Sequence, residues 1–257
     1  MLRTYFLQLW FNLSDSAVEE ALYDSVAMRT FAGIDLGVEA APDETTVCEF
    51  RHLLERNKVG QDGLKAVTQY LRENGIKIAN GTIVDATIIS APSSTKNKDG
   101  ERDPEMHQTT KGQQWYFGMK AHVGVDSKTK LIHTILVSAA NVHDREALPH
   151  LLHGKETLVW GDEGYEGQTA AIHAPARAKD FTNRKYRGRG WFNEAERAKN
   201  RTTSQVRAKV EHSIGVIKRI FGFSKTRYRG LAKNPHRLEV SAALANLYIV
   251  RRRLLEA

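Results

Sequence analysis

The chain has 257 residues, of which 41% are hydrophobic and 26% charged, and it carries a net charge of +8. A chain of this length buries a substantial core without covalent cross-links. Its single cysteine, Cys48, excludes an intramolecular disulfide and a zinc site built from several cysteines. No apolar run approaches the roughly 18 residues of a membrane-spanning helix, so we expect a cytoplasmic protein without a membrane partner.

Residues 1–78 show the hydrophobic spacing of helices. The apolar residues between positions 2 and 13 fit one helical face, and Ser14 is the expected N-cap of a second helix that continues to residue 27. Pro42 opens a third helix, and a fourth is expected over 63–73. We therefore predict an N-terminal helical region, residues 1–78, with a DNA-binding or dimerisation role.

The next part, up to residue 162, is rich in β-branched residues. The expected strands are 82–89, 117–126, 131–139 and 157–160, the middle two forming a hairpin. The polar stretch 93–114 is expected to be a mobile loop, and 145–153 a helix.

Residues 163–257 are expected to be mainly helical, with a long basic helix over 194–221 and a final helix from Pro235 to residue 255. Strands followed by helices predict an α/β fold with a mixed sheet flanked by helices. We expect this domain to span residues 79–257.

The positive charge is concentrated in one segment. Residues 177–229 contain 16 Lys and Arg but four Asp and Glu, a net of +12, which leaves −4 for the rest of the chain. This asymmetry favours a face that binds a polyanion, with DNA as the leading candidate. A solvated basic surface is the alternative.

Two aspartates occupy positions in or after strands. Asp85 lies within an apolar strand, where a carboxylate is costly to bury unless it is paired or binds a metal. A polar position on an edge strand is an equally good interpretation. Asp162 follows the strand 157–160, where ligands gather in α/β sheets. Taken alone, Asp162 is more simply interpreted as the cap of a turn.

Glu211 shares a helical face with Arg207 and Lys218. Such residues are more often an exposed ion-pair stripe. Together, however, Asp85, Asp162 and Glu211 offer the oxygen ligands that Mg²⁺ prefers. Two such ions, about 4 Å apart, activate a nucleophile and stabilise a leaving oxygen. The three acids predict a site for two Mg²⁺ ions, in which Mn²⁺ can substitute.

Several motifs, taken in order, resemble the DDE transposases of bacterial insertion sequences, and most closely the insertion-sequence five family. They are Val-Asp-Ala-Thr at 84–87, Phe-Gly-Met-Lys-Ala-His-Val-Gly-Val-Asp at 117–126, Ala-Asn-Val-His-Asp at 140–144, Trp-Gly-Asp-Glu-Gly-Tyr at 160–165 and the spacing of Arg207, Glu211 and Lys218, with Phe-Asn-Leu-Ser-Asp at 11–15 and Pro-Asp-Glu-Thr-Thr at 42–46. Each motif alone is weak, but their order is specific.

The resemblance implies an RNase H-like fold with Asp85 on the first central strand, Asp162 after the fourth and Glu211 on a later helix. Asp85 is implied to bridge both metal ions, while the other two acids each complete one site. Arg207 and Lys218 are implied to contact DNA phosphates near the cut. In a related signature a tyrosine precedes this arginine by three positions. Here Ser204 stands there, so one phosphate or stacking contact is not carried over.

Further DNA contacts are expected in the basic segment. The candidates are Lys209, Arg187, Arg189, Trp191 and His212. Trp191 could stack on an unpaired base, or lie under a loop. His212 points about 100° away from Glu211 on a helix, which favours a DNA contact or a surface role.

Other residues near the predicted metal pocket are weaker candidates. Lys120 and His122 lie on the second strand and are expected to approach the pocket, although Lys120 has a strand-edge charge as its alternative. Glu163 is a possible substitute for Asp162. A zinc site is not expected, because the ten histidines form no His-x-x-x-His or His-x-His pair.

The predicted function is therefore DNA transposition on double-stranded DNA, with cleavage at element ends and strand transfer of the 3′-hydroxyl, by a homodimer. A catalytically silent, truncated DNA-binding regulator is one alternative, and a metal nuclease that never joins strands is another. Because the resembling proteins extend further upstream, we also expect that a stretch before Met1 is missing.

Overall fold

The computed structural model describes residues 1–76, 78–98 and 100–256. Lys77 of the predicted helical region and Ala257, the last residue of the predicted catalytic domain, lie outside the described residues. The N-terminal helices are α1 (Leu2–Trp10), α2 (Asp15–Asp24), α3 (Val26–Ala32), α4 (Glu44–Arg56) and α5 (Val59–Glu73).

The helix expected to continue to residue 27 is interrupted. Ser14 caps α2 by accepting the Ala17 N–H at 3.1 Å, as its sequence predicts. Ser25 then adopts an extended backbone, and its hydroxyl accepts the Met28 N–H at 3.3 Å. Serine favours helix ends because its side chain can satisfy a free backbone N–H. The single helix prediction was therefore wrong at this point.

Helices α1–α4 share a small apolar core that includes Leu7, Val18, Leu22 and Val47. Helix α5 instead contributes Leu64 to the main core beneath the sheet. The predicted boundary at residue 78 stays a prediction.

A mixed sheet forms the centre of the molecule, as predicted. Its strands are β1 (Gly81–Ser90), β2 (His107–Lys111), β3 (Gln114–Asp126), β4 (Ile132–Ala139), β5 (Leu158–Trp160) and β6 (Lys179–Asp180). The order is β2-β3-β1-β5-β6, with β4 also paired to β3. β3 is antiparallel to β1, β2 and β4, whereas β1, β5 and β6 are parallel.

The segment 93–114 is not entirely a loop, because β2 forms within it. β2 pairs with the first part of β3, from Gln114 to Gly118, and β4 pairs with β3 from Met119 onwards. β2 therefore fills an edge that β4 leaves open, which its polar sequence did not indicate.

The remaining elements are α6 (Asp144–Leu151), α7 (Thr169–Ala176), β7 (Arg187–Gly188), β8 (Trp191–Phe192), α8 (Glu194–Arg207), α9 (Lys209–Gly215) and α10 (Asn234–Leu255). The long helix expected over 194–221 is broken at Ala208, and its last part, Val216–Ile220, is π-helical. The break separates the exposed basic α8 from α9, whose Val210 is fully buried.

Alternation along the strands divides the core between the two faces of the sheet. Ile83, Ile89 and Met119 pack with residues of α9 and α10. Val84 packs with Leu148 of α6 on the other face. Helices thus flank the sheet on both faces, as the α/β prediction requires. Among the described residues, no helix combines the length and apolarity needed to cross a bilayer.

Candidate active site

β1 and β5 separate after three paired residues. Their parallel pairing extends from Gly81 to Ile83, whereas β1 continues to Ser90. The released edge of β1 borders a cavity of about 350 Å³. Its charged lining consists of Asp85, Lys111, Lys120, Asp144, Asp162, Arg207 and Glu211. Three acids separated by up to 126 positions therefore line one cavity.

Asp85 is buried in this cavity, with 8% of its surface exposed. Its Oδ1 accepts the Ala86 N–H at 2.8 Å, and its Oδ2 lies 3.6 Å from Arg207 Nη1. Burial raises the pKa of Asp85 to about 6, and the negative charges of Asp162 and Glu211 raise it further, against the Ala86 N–H and Arg207. Asp162 and Glu211 are therefore both close enough to Asp85 to disfavour its charge.

Asp162 combines the two roles that its sequence left open. It caps the 3-10 turn Glu163–Tyr165 by accepting the Gly164 N–H at 2.9 Å, and it also lines the cavity. A Cβ at Gly164 would lie 3.0 Å from Asp162 Oδ1 and 3.5 Å from Asp144 Oδ2. The glycine thus leaves room for two carboxylates to approach the same point.

Glu211 reaches the cavity from the first turn of α9, and Arg207 from the last residue of α8. Lys218, in the π-helical turn, donates a hydrogen bond to the Ile88 carbonyl at 2.7 Å. Burial lowers the pKa of Lys218, as does the neighbouring Lys111, while Glu211 opposes the effect. Lys218 therefore satisfies a backbone acceptor next to Glu211.

Asp144 is a fourth acid in the cavity, and sequence reasoning did not single it out. Its Oδ1 lies 2.8 Å from Lys120 Nζ. The signal was present, because the Ala-Asn-Val-His-Asp motif ends on Asp144. Nothing in that motif alone, however, indicated that the carboxylate would meet Asp162.

Tyr165 lies beneath the acids, with 1% of its surface exposed. Its hydroxyl has no hydrogen-bond partner among the described residues. Burial raises the pKa of Tyr165, and the charges of Asp144, Asp85 and Asp162 raise it further. A phenolic O–H donor therefore lies near three carboxylates, and sequence analysis did not select it.

Of the residues predicted to bind DNA, Arg207 lines this cavity, whereas Lys218 and the others do not. Lys209 donates to the Ser127 carbonyl at 2.8 Å, and His212 is exposed near Lys130. Arg187, Arg189 and Trp191 lie on the exposed β7–β8 hairpin. Trp191 is 49% exposed and so is not covered by a loop.

A second cavity, of about 560 Å³, is lined mainly by α8 and the segment before the hairpin. Its lining includes Tyr186, Arg197 and Arg201, and also Glu163, the residue next to Asp162 in the chain. Ser204 also lines it and accepts a hydrogen bond from Asn183 Nδ2 at 2.9 Å. Ser204, where a related signature has a tyrosine, thus lies at the wall of this second cavity.

The donor chemistry of the acidic cavity suits a hard divalent cation. Carboxylate oxygens are the preferred ligands of Mg²⁺, which completes its shell with water and substrate phosphate. Burial is the main cause of the raised pKa of Asp85, and the charges of Asp162 and Glu211 add to it; a divalent cation would favour the ionised carboxylate against all three. As arranged, however, no group of three or more His, Cys, Asp or Glu among the described residues meets the spacing of a metal site.

The fold and the cavity define an α/β protein in which a mixed sheet, flanked by helices, carries acids at a point of strand divergence. A family model described as the transposase DDE domain matches residues 77–247, and a second, described as a transposase domain (DUF772), matches residues 1–53. The first match covers more than half of the chain, and the protein therefore belongs to the family of DDE-domain transposases. No solved structure matches the chain.

Family membership confirms the expected insertion-sequence DDE transposase and the RNase H-like fold class. Proteins of this family are DNA-binding enzymes of transposition and generally use divalent metal ions.

Proposed function

We propose that this protein cleaves DNA at the ends of an insertion sequence of the five family and joins the freed 3′-hydroxyl to target DNA. The proposal places two Mg²⁺ ions on Asp85, Asp162 and Glu211, with Mn²⁺ able to substitute. The observation that carries it is the meeting of these three acids in one cavity at the edge of β1.

Asp85, Asp162 and Glu211 would together hold the ions, and the charges of the other two acids act on Asp85. The bound ions would activate the attacking oxygen and stabilise the leaving oxygen. Arg207 faces Asp85 and is placed to neutralise a phosphate that enters beside it. Lys218 donates to the Ile88 carbonyl of β1, and its other N–H donors are assigned to a DNA phosphate outside the cavity.

The reaction consists of two successive displacements, each at a phosphorus atom of DNA. In the first, a water oxygen bonds to phosphorus, the bond to the 3′-oxygen breaks, and the leaving oxygen becomes a 3′-hydroxyl by gaining a proton. In the second, that hydroxyl bonds to a target phosphorus and displaces a target 3′-oxygen. One cavity can serve both steps because only the nucleophile changes.

The β7–β8 hairpin and α8 are proposed to hold the DNA outside the cavity. Arg187 and Arg189 are exposed cations suited to phosphates, and Trp191 offers a flat face for an unpaired base. Lys209 and His212 are assigned to DNA beyond the cut. We further propose a homodimer on paired element ends, acting in the bacterial cytoplasm at the nucleoid.

The proposal is tested with a linear duplex that carries the genomic sequences flanking the coding region. We expect Mg²⁺-dependent nicking, and joining when the duplex is supplied with a precut 3′-hydroxyl end. Asp85→Ala should abolish both reactions, whereas Asp62→Ala, at an exposed acid of α5, should abolish neither. Salt-sensitive binding without nicking would instead indicate a regulator, and nicking without joining a plain nuclease.

A further inference from the structure

Positively charged side chains from both faces of the sheet line the acidic cavity. Arg207 approaches with Asp85, whose side chain shares a face with Ile83 and Ile89. Lys120 pairs directly with Ile88 in the register of β1 and β3, so it lies on the opposite face. Both side chains nevertheless line the same cavity, because β5 no longer covers this edge of β1.

We propose that Lys120 is a further DNA-phosphate contact inside this cavity and that Asp144 is the residue that positions it. This proposal rests on the proposed function, because it takes the ligand that enters the cavity to be the DNA strand that is cut. It adds a binding residue on the face of the sheet opposite Arg207.

Lys120 is held by two fixed neighbours. Its Nζ lies 2.8 Å from Asp144 Oδ1 and donates to the Val142 carbonyl at 2.8 Å. An ammonium has three N–H donors, and the Val142 carbonyl accepts one of them; Asp144 Oδ1 is an ion-pair neighbour without a hydrogen bond, so N–H donors remain for a ligand. The Lys120 side chain is 14% exposed, which is consistent with an ammonium group at the wall of the cavity.

The charge environment explains why a cation is needed at this point. Asp144 Oδ2 and Asp162 Oδ1 both lie close to the Gly164 backbone, so this side of the cavity is acidic. A phosphodiester brought there meets repulsion unless a cation faces it. Arg207 faces Asp85, and Lys218 is bound to the Ile88 carbonyl. Lys120 contacts Asp144 of this pair directly, and Lys111 lines the same cavity from β2.

Asp144 positions Lys120. The neighbouring His122 on this face adds little positive charge to neutralise the Asp144 carboxylate. His122 Nδ1 lies 4.0 Å from Asp144 Oδ1, and its Nε2 hydrogen-bonds with Ser138 Oγ at 2.8 Å. Burial lowers the pKa of His122 to about 4, so His122 is neutral at neutral pH. The Asp144 carboxylate is therefore neutralised by Lys120 and not by His122.

The test measures how DNA affinity depends on salt, a quantity that a purely structural residue does not change. Each phosphate contact contributes roughly 0.7–0.9 to the slope of log K against log salt. With the flanking-sequence duplex at constant Ca²⁺, Lys120→Met should lower the slope by about this amount. Lys120→Gln, which can still donate to the Val142 carbonyl, should lower it equally, and Lys120→Arg should keep it.

Lys65→Ala is the matched control, because Lys65 is 76% exposed on α5 and pairs with Asp62. Its slope should equal that of the wild type. An unchanged slope in Lys120→Gln, with a wild-type circular dichroism spectrum, would overturn the proposal.

Asp144→Asn separates positioning from metal binding. It should keep the salt slope, because Lys120 remains, but lower kcat for nicking about tenfold by loosening the phosphate. The double variant with Lys120→Met should nick no more slowly than Lys120→Met alone. Independent, multiplying losses would show that Asp144 acts without Lys120, and would overturn its positioning role.

The two proposals fail in different ways. A wild-type protein that binds but never nicks, with a lower slope in Lys120→Met, would refute transposition chemistry and keep the phosphate contact. A protein that nicks normally, with an unchanged slope in both neutral variants, would refute the phosphate contact alone.

Discussion

β1 passes two buried polar sites, one near its start and one at its middle. Near its start, Thr82 Oγ1 hydrogen-bonds with His133 Nε2 at 3.2 Å and donates to Glu156 Oε1 at 3.4 Å. Glu156 also accepts the Gly154 N–H at 2.8 Å. Three residues further along, Asp85 lies among other carboxylates.

The two sites differ in the groups that surround their buried carboxylate. Glu156 is 1% exposed and is surrounded by donors from the backbone and from Thr82. Asp85 is nearly as buried, yet two of its influential neighbours carry the same charge. The hydrogen bonds around Glu156 stabilise the fold. At the second site, burial and neighbouring negative charges disfavour the ionised form of Asp85. Such sites are typical of function, because a ligand supplies the missing charge.

The largest expected effect of this difference is at Asp85. Asp85→Asn removes a metal ligand worth several kcal/mol in the transition state, so nicking should slow by about 10³-fold or more. Thermal unfolding should show no loss of stability, because the substitution removes a charge that burial and repulsion disfavour. Asp62→Asn, at a 72% exposed acid, should change neither quantity. A lower melting temperature would contradict the comparison.

Glu156→Ala should show the reverse pattern. The loss of this carboxylate leaves the His153 and Gly154 N–H groups without their acceptor. The free energy of unfolding should fall by about 2–4 kcal/mol, measured by urea titration, while kcat per folded molecule stays unchanged. The control is Glu73→Ala, at an exposed acid of α5 that accepts from Gln69. A loss of kcat without destabilisation would assign Glu156 to the active site.

The structural end of β1 should also make stability depend on pH. Burial lowers the pKa of His133 to about 3, and His153 adds to the effect. The unfolded chain therefore binds a proton that the folded chain does not, and stability present above about pH 6.5 is lost as the pH falls. His133 alone should cost about 2 kcal/mol between pH 7.5 and pH 5.

The measurement is the difference in unfolding free energy between these two pH values. It should be smaller in His133→Gln than in the wild type, whereas His107→Gln, at an exposed position of β2, should match the wild type. Equal differences in all three proteins would show that His133 is protonated in the folded state.

The smallest expected effect is at Gly164. A Cβ there lies 3.0 Å from Asp162 Oδ1, so Gly164→Ala should move this carboxylate by a few tenths of an ångström. Because displacements of about 1 Å cost roughly 10²-fold in rate, we expect a loss of about threefold to tenfold in kcat with little change in stability. Gly63→Ala, where a Cβ meets open space, is the control. Unchanged nicking in Gly164→Ala would place Asp162 outside the reaction.

Local patterns predicted much of the fold. Alternation and β-branched residues located β1, β3 and β4, and caps such as Ser14 located helix starts. These signals act between neighbours in sequence, so they can be seen without the fold. The break at Ser25 was a local signal that the prediction missed. The missed strand was non-local: β2 exists because β3 offers it a free edge, and nothing in its own polar residues indicates a strand.

The acids and their order along the chain were fixed by the amino-acid sequence, as were the basic segment and the motifs of the family. Tertiary structure alone decided that β5 leaves β1 after Ile83, that Lys120 and Asp144 reach the cavity from the opposite face, and that Tyr165 lies beneath it. The physical reason is that strand register and helix docking depend on contacts between residues far apart in the chain, which no local pattern contains. The proposed chemistry depends on this convergence of like charges, and coordinates with the Asp85, Asp162 and Glu211 carboxyl groups facing separate surfaces would refute it.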